Sequence, residues 1–327
     1  MNNYLNPQLF SQDIERKECR QGFGDEIVEL ARKSKKIVVL DADLASSLRL
    51  DEFKKRFSNR FFEMGVSEAN MISVAAGMAL EGYIPFTSSF AVFTPNQALA
   101  QIRISVAYNK ANVKIIGSHA GITTGADGAS HQALEDIAIM RSIPNFTVIA
   151  PCDYYQTRRA VRAASKINGP VYIRFGRSKV PVVTTEKTPF RIGKAQVLKE
   201  GVNGTIFAHG ESVYRALIAA EVLKQEKGWS FSVINVHTIK PLDEKTILKY
   251  AKKTKVFVVA EDHQVAGGLG SAISEYLSQN YPIPMEFVVI KDKFGESGES
   301  KKLIDKFHID IEDIVEACKR VYERKKF

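Results

Sequence analysis

The sequence predicts an α/β fold made of two consecutive α/β domains, each built on a mostly parallel sheet. Short apolar runs alternate with longer amphipathic segments along the 327 residues, as is typical of buried parallel strands joined by helices. This length suits about two domains of ordinary size, each with its own hydrophobic core. Residues 176–194 are rich in Pro, Thr and Lys and lack a helical period, so they indicate a connector.

The domain boundary is placed inside this connector. We predict an N-terminal extension over residues 1–14, a first domain over 15–187 and a second over 188–327. The predicted strands of the first domain lie within residues 36–44, 113–121, 146–153 and 170–175. Those of the second lie within residues 204–210, 231–239, 256–262 and 285–290, and each but the last precedes a helical pattern.

The composition is that of a globular protein, with 45% hydrophobic and 25% charged residues. The net charge of +9 is scattered and no nucleic-acid-binding module is recognisable, so a phosphorylated small substrate suits the arginines better. The cysteines form no CxxC pattern, which argues against a zinc site or a disulfide framework. No signal core and no run of about 18 apolar residues occurs, so we expect a cytoplasmic protein.

One carboxylate stands at the start of the small, apolar stretch "GVSEANMISVAAGMAL", residues 65–80. Ser67 is placed to be the N-cap of a helix and Glu68 its first residue, where the helix dipole favours negative charge. A plain helix-start acid explains this spacing. The stretch that follows is apolar all round, so we also expect Glu68 to be partly desolvated, which would raise its pKa and favour proton exchange.

Two further segments are ambiguous on their own. Phe90 and Phe93 are three residues apart, a spacing that fits either core packing or an apolar wall for a flat ring. The segment "SHAGITTGADGASHQALEDIAIMRSIPN" combines His119, Asp127 and His131 with three glycines, and we expect a helix to begin at Ser130 or Gln132. The histidine spacing matches no metal-binding pattern, whereas long polar loops of this kind are commonly functional.

Arginines and other polar residues also follow predicted strands. Arg174 and Arg177 lie at the carboxyl end of a strand, where ligands of open parallel sheets bind, but surface arginines would look the same. Arg20 and the strand-end block "DADLASS", with Asp43 and Ser47, are equally ambiguous alone. The turn "AEDHQVAGGLGSA" only weakly resembles a dinucleotide-binding fingerprint, because its third glycine is absent, and packing is the better interpretation.

Taken together and in order, these blocks resemble the carboxyl-terminal half of transketolase, and in particular the separate small subunit of split transketolases. The resemblance extends from about residue 15 over nearly the whole chain, and "GADGASHQ" is its most specific block. It implies that residues 15–187 form a thiamin-diphosphate pyrimidine-binding domain and residues 188–327 a transketolase C-terminal domain. Thiamin diphosphate, with Mg²⁺ held mainly by a partner subunit, would then be the cofactor.

The resemblance also implies roles for the residues on the cofactor side. Glu68 matches the glutamate that hydrogen-bonds the pyrimidine nitrogen N1′ and activates the cofactor. Phe90 and Phe93 match the aromatic wall against the pyrimidine. Asn96 stands where a tyrosine is common, and Asp43 is assigned to the same cofactor site.

On the substrate side, His131 and Asp127 match residues that face the sugar hydroxyls, with a catalytic role for His131. The positions that hold the substrate phosphate in the family are matched by Arg20, Ser47, His119 and Arg177. Arg174 could substitute for Arg177. Arginine offers charged donors in a fork that suits phosphate oxygens.

The expected activity is transfer of a two-carbon ketol unit from a ketose phosphate to an aldose phosphate, as in the pentose phosphate pathway. The GDG and Asn motif that holds the diphosphate and Mg²⁺ is absent from this sequence. We therefore expect an N-terminal partner subunit, an α2β2 heterotetramer, and no activity from the chain alone. Alternatives are a 1-deoxyxylulose-5-phosphate synthase-like or 2-oxoacid dehydrogenase β-like enzyme, or a non-catalytic interaction subunit of the same fold.

Overall fold

A computed structural model describes residues 4–326, which contain two large sheets that follow one another along most of the chain and one two-stranded sheet. The strands are β1 (Arg16–Glu18), β2 (Ile37–Asp41), β3 (Phe61–Glu63), β4 (Ile84–Phe90), β5 (Lys114–Ser118), β6 (Thr147–Ile149), β7 (Val171–Arg174), β8 (Lys179–Pro181), β9 (Gln196–Lys199), β10 (Gly204–Ala208), β11 (Phe231–Asn235), β12 (Thr238–Lys240), β13 (Phe257–Gln264) and β14 (Met285–Ile290).

Helices connect these strands and cover the sheets. They are α1 (Cys19–Lys33), α2 (Asp51–Arg56), α3 (Glu68–Leu80), α4 (Thr94–Gln97), α5 (Leu99–Gln101), α6 (Asp136–Ser142), α7 (Tyr154–Ala164), α8 (Ser212–Lys227), α9 (Glu244–Thr254), α10 (Leu269–Asn280), α11 (Ser300–Lys306) and α12 (Ile311–Glu323). A π-helical segment spans Ile102–Tyr108, and a short 3₁₀ segment spans Ile122–Asp127. Within residues 4–326, no helix is long and apolar enough to cross a membrane.

The first sheet has the order β12-β6-β7-β5-β4-β2-β3, and all its strands are parallel except β12. Every residue of β2 and β5 is buried, as expected for central parallel strands with helices on both faces. The second sheet has the order β14-β13-β10-β11-β9, with β9 antiparallel to β11. The prediction of two consecutive α/β domains with mostly parallel sheets is therefore confirmed.

Several contacts join residues that lie on opposite sides of the predicted domain boundaries. β12 comes from the second half of the chain but pairs with β6 in the first sheet. Leu5 and Leu9, in the predicted N-terminal extension, are buried in the core of the second half, and β1 pairs with β8 inside the connector. The boundary near residue 188 stays a prediction, but the two halves share buried surface.

Three details of the predicted element pattern were wrong. β4 is a central strand that was not predicted as one, because "TSS" in its middle reads as polar. The helix expected to begin at Ser130 or Gln132 begins at Asp136 instead. The last predicted strand, 285–290, is also followed by helices, α11 and α12, which a loop of nine residues (291–299) separates from it.

A buried ion pair of the first half lies at the edge where the first sheet's parallel strands end, and its arginine also contacts the second half. The Arg174 Nε donates to both carboxylate oxygens of Asp136, at 3.1 and 3.0 Å, and the Tyr172 hydroxyl donates to the same carboxylate at 2.8 Å. Arg174 also donates from Nη2 to the carbonyl of Asp262, in β13, at 2.7 Å. Burial alone would lower the pKa of Arg174. The negative charge of Asp136 outweighs this effect, so the pKa of Arg174 is raised above its ordinary value.

We expect Asp136→Asn to lower the free energy of unfolding by about 3–5 kcal/mol, because it leaves the Arg174 charge buried without its counter-ion. Denaturant unfolding of the purified chain measures this. The control is Glu316→Gln, which removes an exposed ion pair with Lys319 and should leave the unfolding midpoint unchanged. Equal midpoints for Asp136→Asn and wild type would contradict the anchoring role.

Candidate functional site

The carboxyl edge of the first sheet collects most of the residues that the sequence singled out. Because β2, β3, β4, β5 and β7 are parallel, their carboxyl ends lie at one edge, where ligands of such sheets bind. The following residues lie at or just after these strand ends: Asp43, Ser47, Glu68, Phe90, Phe93, His119, Arg174 and Arg177. His131 and Asp127 belong to the loop between β5 and α6.

Glu68 is the first residue of α3, with Ser67 at the N-cap position as predicted. The Ser67 side chain makes no capping hydrogen bond, so the start of the helix is not held by it. Glu68 is only 6% exposed, and the Ser89 hydroxyl donates to its Oε1 at 2.9 Å. No residue among 4–326 donates to its Oε2, so one oxygen of a buried, oriented carboxyl group is left for a ligand.

Four rings form a continuous wall that begins at Phe90 in β4, next to Ser89. Phe90 stacks on His119 with ring centroids 3.8 Å apart, and on Phe93 at 5.7 Å. His131 packs its edge against Phe93 at 5.3 Å. The predicted pair of phenylalanines is thus part of an aromatic cluster that also contains both predicted histidines, a suitable surface for a flat heterocycle.

Asn96, in α4, lies outside this ring cluster. Its Nδ2 donates to the carbonyl of Val92 at 2.8 Å and to Glu135 Oε1 at 3.2 Å. Glu135 is the N-cap of α6. Asn96 is exposed and connects α4 to the segment that carries His131.

His119 is a buried, neutral histidine in a left-handed backbone conformation, with φ of 57°. Burial, assisted by the positive charges of Arg20 and Arg177, lowers its pKa to about 3. The Ser118 hydroxyl lies 2.8 Å from its Nδ1. At neutral pH the ring therefore carries a single N–H, and a non-glycine residue held at this φ is typical of functional sites.

Arg20 and Arg177 line one cavity of about 350 Å³. Arg20 donates to the carbonyl of Ser47 at 2.9 Å and to Glu18 at 2.9 Å, while no partner for its buried Nε is found among residues 4–326. Arg177 donates to the carbonyl of Thr124 at 3.0 Å. The cavity also contains Ser178, Lys179 and Ser300, so it offers several donors to an anion.

Asp127 lies beside this cavity, and its Oδ1 is 3.4 Å from the Arg177 Nη1. Arg174 lies elsewhere: it is 5% exposed and its donors are directed at Asp136 and Asp262. The structure thus brings Arg177, and not Arg174, together with Arg20.

Asp43 lies at the same edge but in an exposed turn with φ of 60°, and its amide donates to Glu63 at 2.9 Å. Its neighbour Asp41, which sequence reasoning missed, is fully buried and receives the Ser88 hydroxyl and the Leu44 amide. Burial raises the pKa of Asp41 to about 6. A carboxylate closing a fully apolar strand was the signal that could have identified it.

The glycine-rich turn before α10 is filled by a side chain of the protein itself. Glu261 accepts hydrogen bonds from the amides of Leu269 and Gly270, at 2.8 and 2.9 Å, and contacts the His209 Nε2 at 3.1 Å. Burial opposes ionisation of Glu261, but these donors outweigh it and hold its pKa well below its usual range. An internal carboxylate thus takes the place that a phosphate would need, which agrees with the packing interpretation.

Metal-binding arrangements are not found in the part of the chain that the structure describes: no cluster of three or more His, Cys, Asp or Glu side chains is placed to hold an ion. Cys19, Cys152 and Cys318 are free and buried. Burial raises the pKa of each thiol.

Comparison with known families identifies two matching models. The model described as "Transketolase, pyrimidine binding domain" matches residues 15–183, and "Transketolase, C-terminal domain" matches residues 193–314. Together they span both sheets.

Individual relatives agree with this result. The chain is 46% identical over 314 residues to a protein of Methanocaldococcus jannaschii described as a transketolase C-terminal section, covering 95% of this chain and 97% of that one. It is 43% identical to a 6-deoxy-6-sulfo-D-fructose transketolase subunit of Clostridium sp. (strain MSTE9), covering 98% and 99%. A solved structure described as a split gene transketolase, inactive beta4 tetramer, is 45% identical with a TM-score of 0.88, covering 94% and 99%.

Lowering the pH should reduce the free energy of unfolding, because the fold keeps His119 neutral. Its folded-state pKa of about 3 lies below the ordinary value of 6.5, so the unfolded chain binds more protons and stability falls as pH drops through 6.5. At about pH 5 this amounts to about 2 kcal/mol. Denaturant unfolding at neutral pH and at about pH 5 should show a correspondingly smaller pH dependence for His119→Gln.

The control for this comparison is His308→Gln, because the His308 side chain is 81% exposed. It should retain the full pH dependence of the wild type. If His119→Gln and wild type lost the same stability on acidification, His119 would not be held neutral by the fold.

Proposed function

Because this chain belongs to the transketolase family, we propose that it is one subunit of a split transketolase and supplies the pyrimidine side of a thiamin diphosphate site. The observation that carries the proposal is the buried Glu68 carboxyl group, oriented by Ser89 and with its Oε2 open, beside the ring wall of Phe90 and Phe93. A buried carboxyl group next to an aromatic surface fits a flat heterocycle with a basic nitrogen.

These residues fit the cofactor's pyrimidine. When bound, thiamin diphosphate supplies the carbon nucleophile for two-carbon transfer between sugars. Glu68 would hold a proton against the pyrimidine nitrogen through Oε2, while Ser89 fixes the carboxyl group by its bond to Oε1. The stacked Phe90 and Phe93 rings would exclude water from this contact.

On the sugar side, His131 and Asp127 are proposed to act on the hydroxyl groups. The half-buried His131 is held by the Ser130 hydroxyl, 2.9 Å from its Nδ1, so its other nitrogen can exchange a proton with a substrate hydroxyl. Asp127 would accept a hydrogen bond from a neighbouring hydroxyl, with Arg177 holding its carboxylate in place. Paired contacts of this kind favour one arrangement of hydroxyls over another.

The anionic end of the substrate is proposed to bind in the cavity lined by Arg20 and Arg177. His119 would add a neutral N–H donor, while Ser47 contributes by orienting Arg20 through its carbonyl. The Arg174 side chain is already paired with Asp136, so we propose Arg177 as the residue that binds the phosphate. A phosphate and a sulfonate both present three oxygens to such donors, and one relative is described as a 6-deoxy-6-sulfo-D-fructose transketolase subunit, so the proposed site suits either anion.

A partner chain is proposed to hold the diphosphate and Mg²⁺. The relatives that match over nearly their whole length include a transketolase C-terminal section and a 6-deoxy-6-sulfo-D-fructose transketolase subunit, and these descriptions support a second chain. The β4 assembly of one solved relative is described as inactive, which supports dependence on a second kind of chain. An α2β2 heterotetramer is the assembly we propose.

Replacing Glu68 tests the proposal directly. We expect Glu68→Gln to lower turnover in the two-chain complex by about 100-fold or more, because the amide cannot exchange a proton with the pyrimidine. Steady-state assays of two-carbon transfer measure this. Glu244→Gln, at the exposed first position of helix α9, is the matched control and should keep wild-type turnover. Unchanged turnover in Glu68→Gln would instead favour a non-catalytic subunit.

Partner dependence and reaction type are tested together. The purified chain with Mg²⁺ and thiamin diphosphate should transfer no two-carbon units from a ketose phosphate to an aldose phosphate, because it holds one side of the cofactor. Addition of a diphosphate-binding transketolase chain should restore transfer. Substantial turnover by the chain alone would refute the dependence, and decarboxylation of pyruvate by the complex would favour a synthase-like or 2-oxoacid dehydrogenase-like enzyme.

A further inference from the structure

The 3₁₀ segment Ile122–Asp127 carries Asp127 into the site. Side chains from other segments of the chain make the hydrogen bonds that hold this segment in place. It is interrupted at Gly125, where φ is 80° and ψ is −120°, so regular helical hydrogen bonds cannot hold it. Its first amide, on Ile122, donates to Asp262 Oδ1 of the second half at 3.1 Å. The carbonyl of Thr123 receives the hydroxyls of Ser178 and Ser300, at 3.0 and 2.8 Å.

Gln132 holds two more carbonyls of this segment and reaches the second half of the chain. Its Nε2 lies 3.3 Å from the carbonyl of Ile122, 3.2 Å from that of Gly125 and 2.8 Å from that of Glu296. Glu296 belongs to the loop after β14, in the second half. One amide nitrogen with two hydrogens thus serves three carbonyls from two loops.

The Gln132 side chain is wedged between these loops without spare room. It is 3% exposed, and in the part of the chain that the structure describes its buried Oε1 has no hydrogen-bond partner. A Cβ atom on Gly295 would overlap this oxygen, and one on Gly128 would overlap the Ser297 hydroxyl. Carbonyl oxygens accept hydrogen bonds, so the Gln132 amide group turns its nitrogen, and not its oxygen, towards them. Among the described residues the amide oxygen is then buried without a hydrogen bond, which costs free energy.

We propose that Gln132 is a positioning residue through which the second half of the chain, by its loop 294–300, sets the geometry of the substrate-side loop 122–131. Gln132 follows His131 directly, so a shift of its side chain would move His131 and Asp127 together. The effect on turnover rests on the proposed transketolase function. The coupling between the two loops does not, and it can be measured without any substrate.

The test compares Gln132→Met with Gln156→Met. Both glutamines are buried and hydrogen-bonded between the two halves, but Gln156 bonds Asn235, Gln196 and the Cys152 amide and makes no hydrogen bond to loop 122–131. Amide hydrogen exchange of the purified chain, read by mass spectrometry, should rise by about tenfold or more in segments 122–131 and 294–300 for Gln132→Met. Gln156→Met should leave both segments as in the wild type.

A second variant approaches the same contact from the other loop. Gly295→Ala adds one methyl group in the second half, and it should raise exchange in segment 122–131 of the first half to a similar extent. This variant also decides the matter if Gln132→Met does not fold. Wild-type exchange in segment 122–131 for the folded variants would overturn the proposed coupling.

Activity of the two-chain complex completes the test. For Gln132→Met we expect kcat/KM for two-carbon transfer to fall by about tenfold or more, with the thermal midpoint matching that of Gln156→Met. Raised exchange with unchanged kcat/KM would overturn the positioning role. If the wild-type complex transferred no two-carbon units, the proposed function would fail, and the exchange data would still judge the coupling by themselves.

Discussion

The site depends on one constraint of a parallel sheet: its strands all end at the same edge. Residues far apart in sequence meet there because each follows a strand end, as Glu68, Phe90 and His119 do. The strands themselves are buried on both faces and fix the positions of these residues. The chemistry of the site therefore follows from which polar residues the sequence places just after its apolar runs.

Burial at this edge also determines which charged groups remain available. Arg174 is neutralised by Asp136 and tied to the backbone of the second half, so it holds the two halves together. Arg177, three residues further on, has left the strand and reaches the cavity with Arg20. The same contrast separates Glu261, whose carboxylate is fully bonded inside the glycine-rich turn, from Glu68, which keeps one oxygen open.

The second half of the chain makes hydrogen bonds to the loops that form the candidate site. Asp262 and Ser300 of the second half hydrogen-bond to the 3₁₀ segment. In the other direction, the Gln132 side chain donates to a carbonyl of the loop after β14. A loop without regular hydrogen bonds of its own needs such external partners to keep one conformation. This arrangement brings the second half into contact with the candidate site, although the predicted site residues lie in the first half.

Much of the fold followed from the sequence, because apolar runs and their spacing report burial directly. β4 was missed because Ser88 and Ser89 are polar, and only the structure shows that their hydroxyls serve Asp41 and Glu68. The start of α6 was placed too early because the sequence does not show that Gln132 is buried among carbonyls. Arg174 and Arg177 could not be separated either, since a strand-end arginine looks the same whether it meets a buried aspartate or a cavity.

The proposed contact between Glu68 and the pyrimidine nitrogen of thiamin diphosphate can be measured directly. Calorimetry on the two-chain complex can compare this cofactor with an analogue that carries C–H in place of N1′, for wild type and Glu68→Ala. The wild type should prefer the natural cofactor by about tenfold or more, the worth of one hydrogen bond to a charged group, and Glu68→Ala should bind both equally. The same preference in both proteins would contradict the contact.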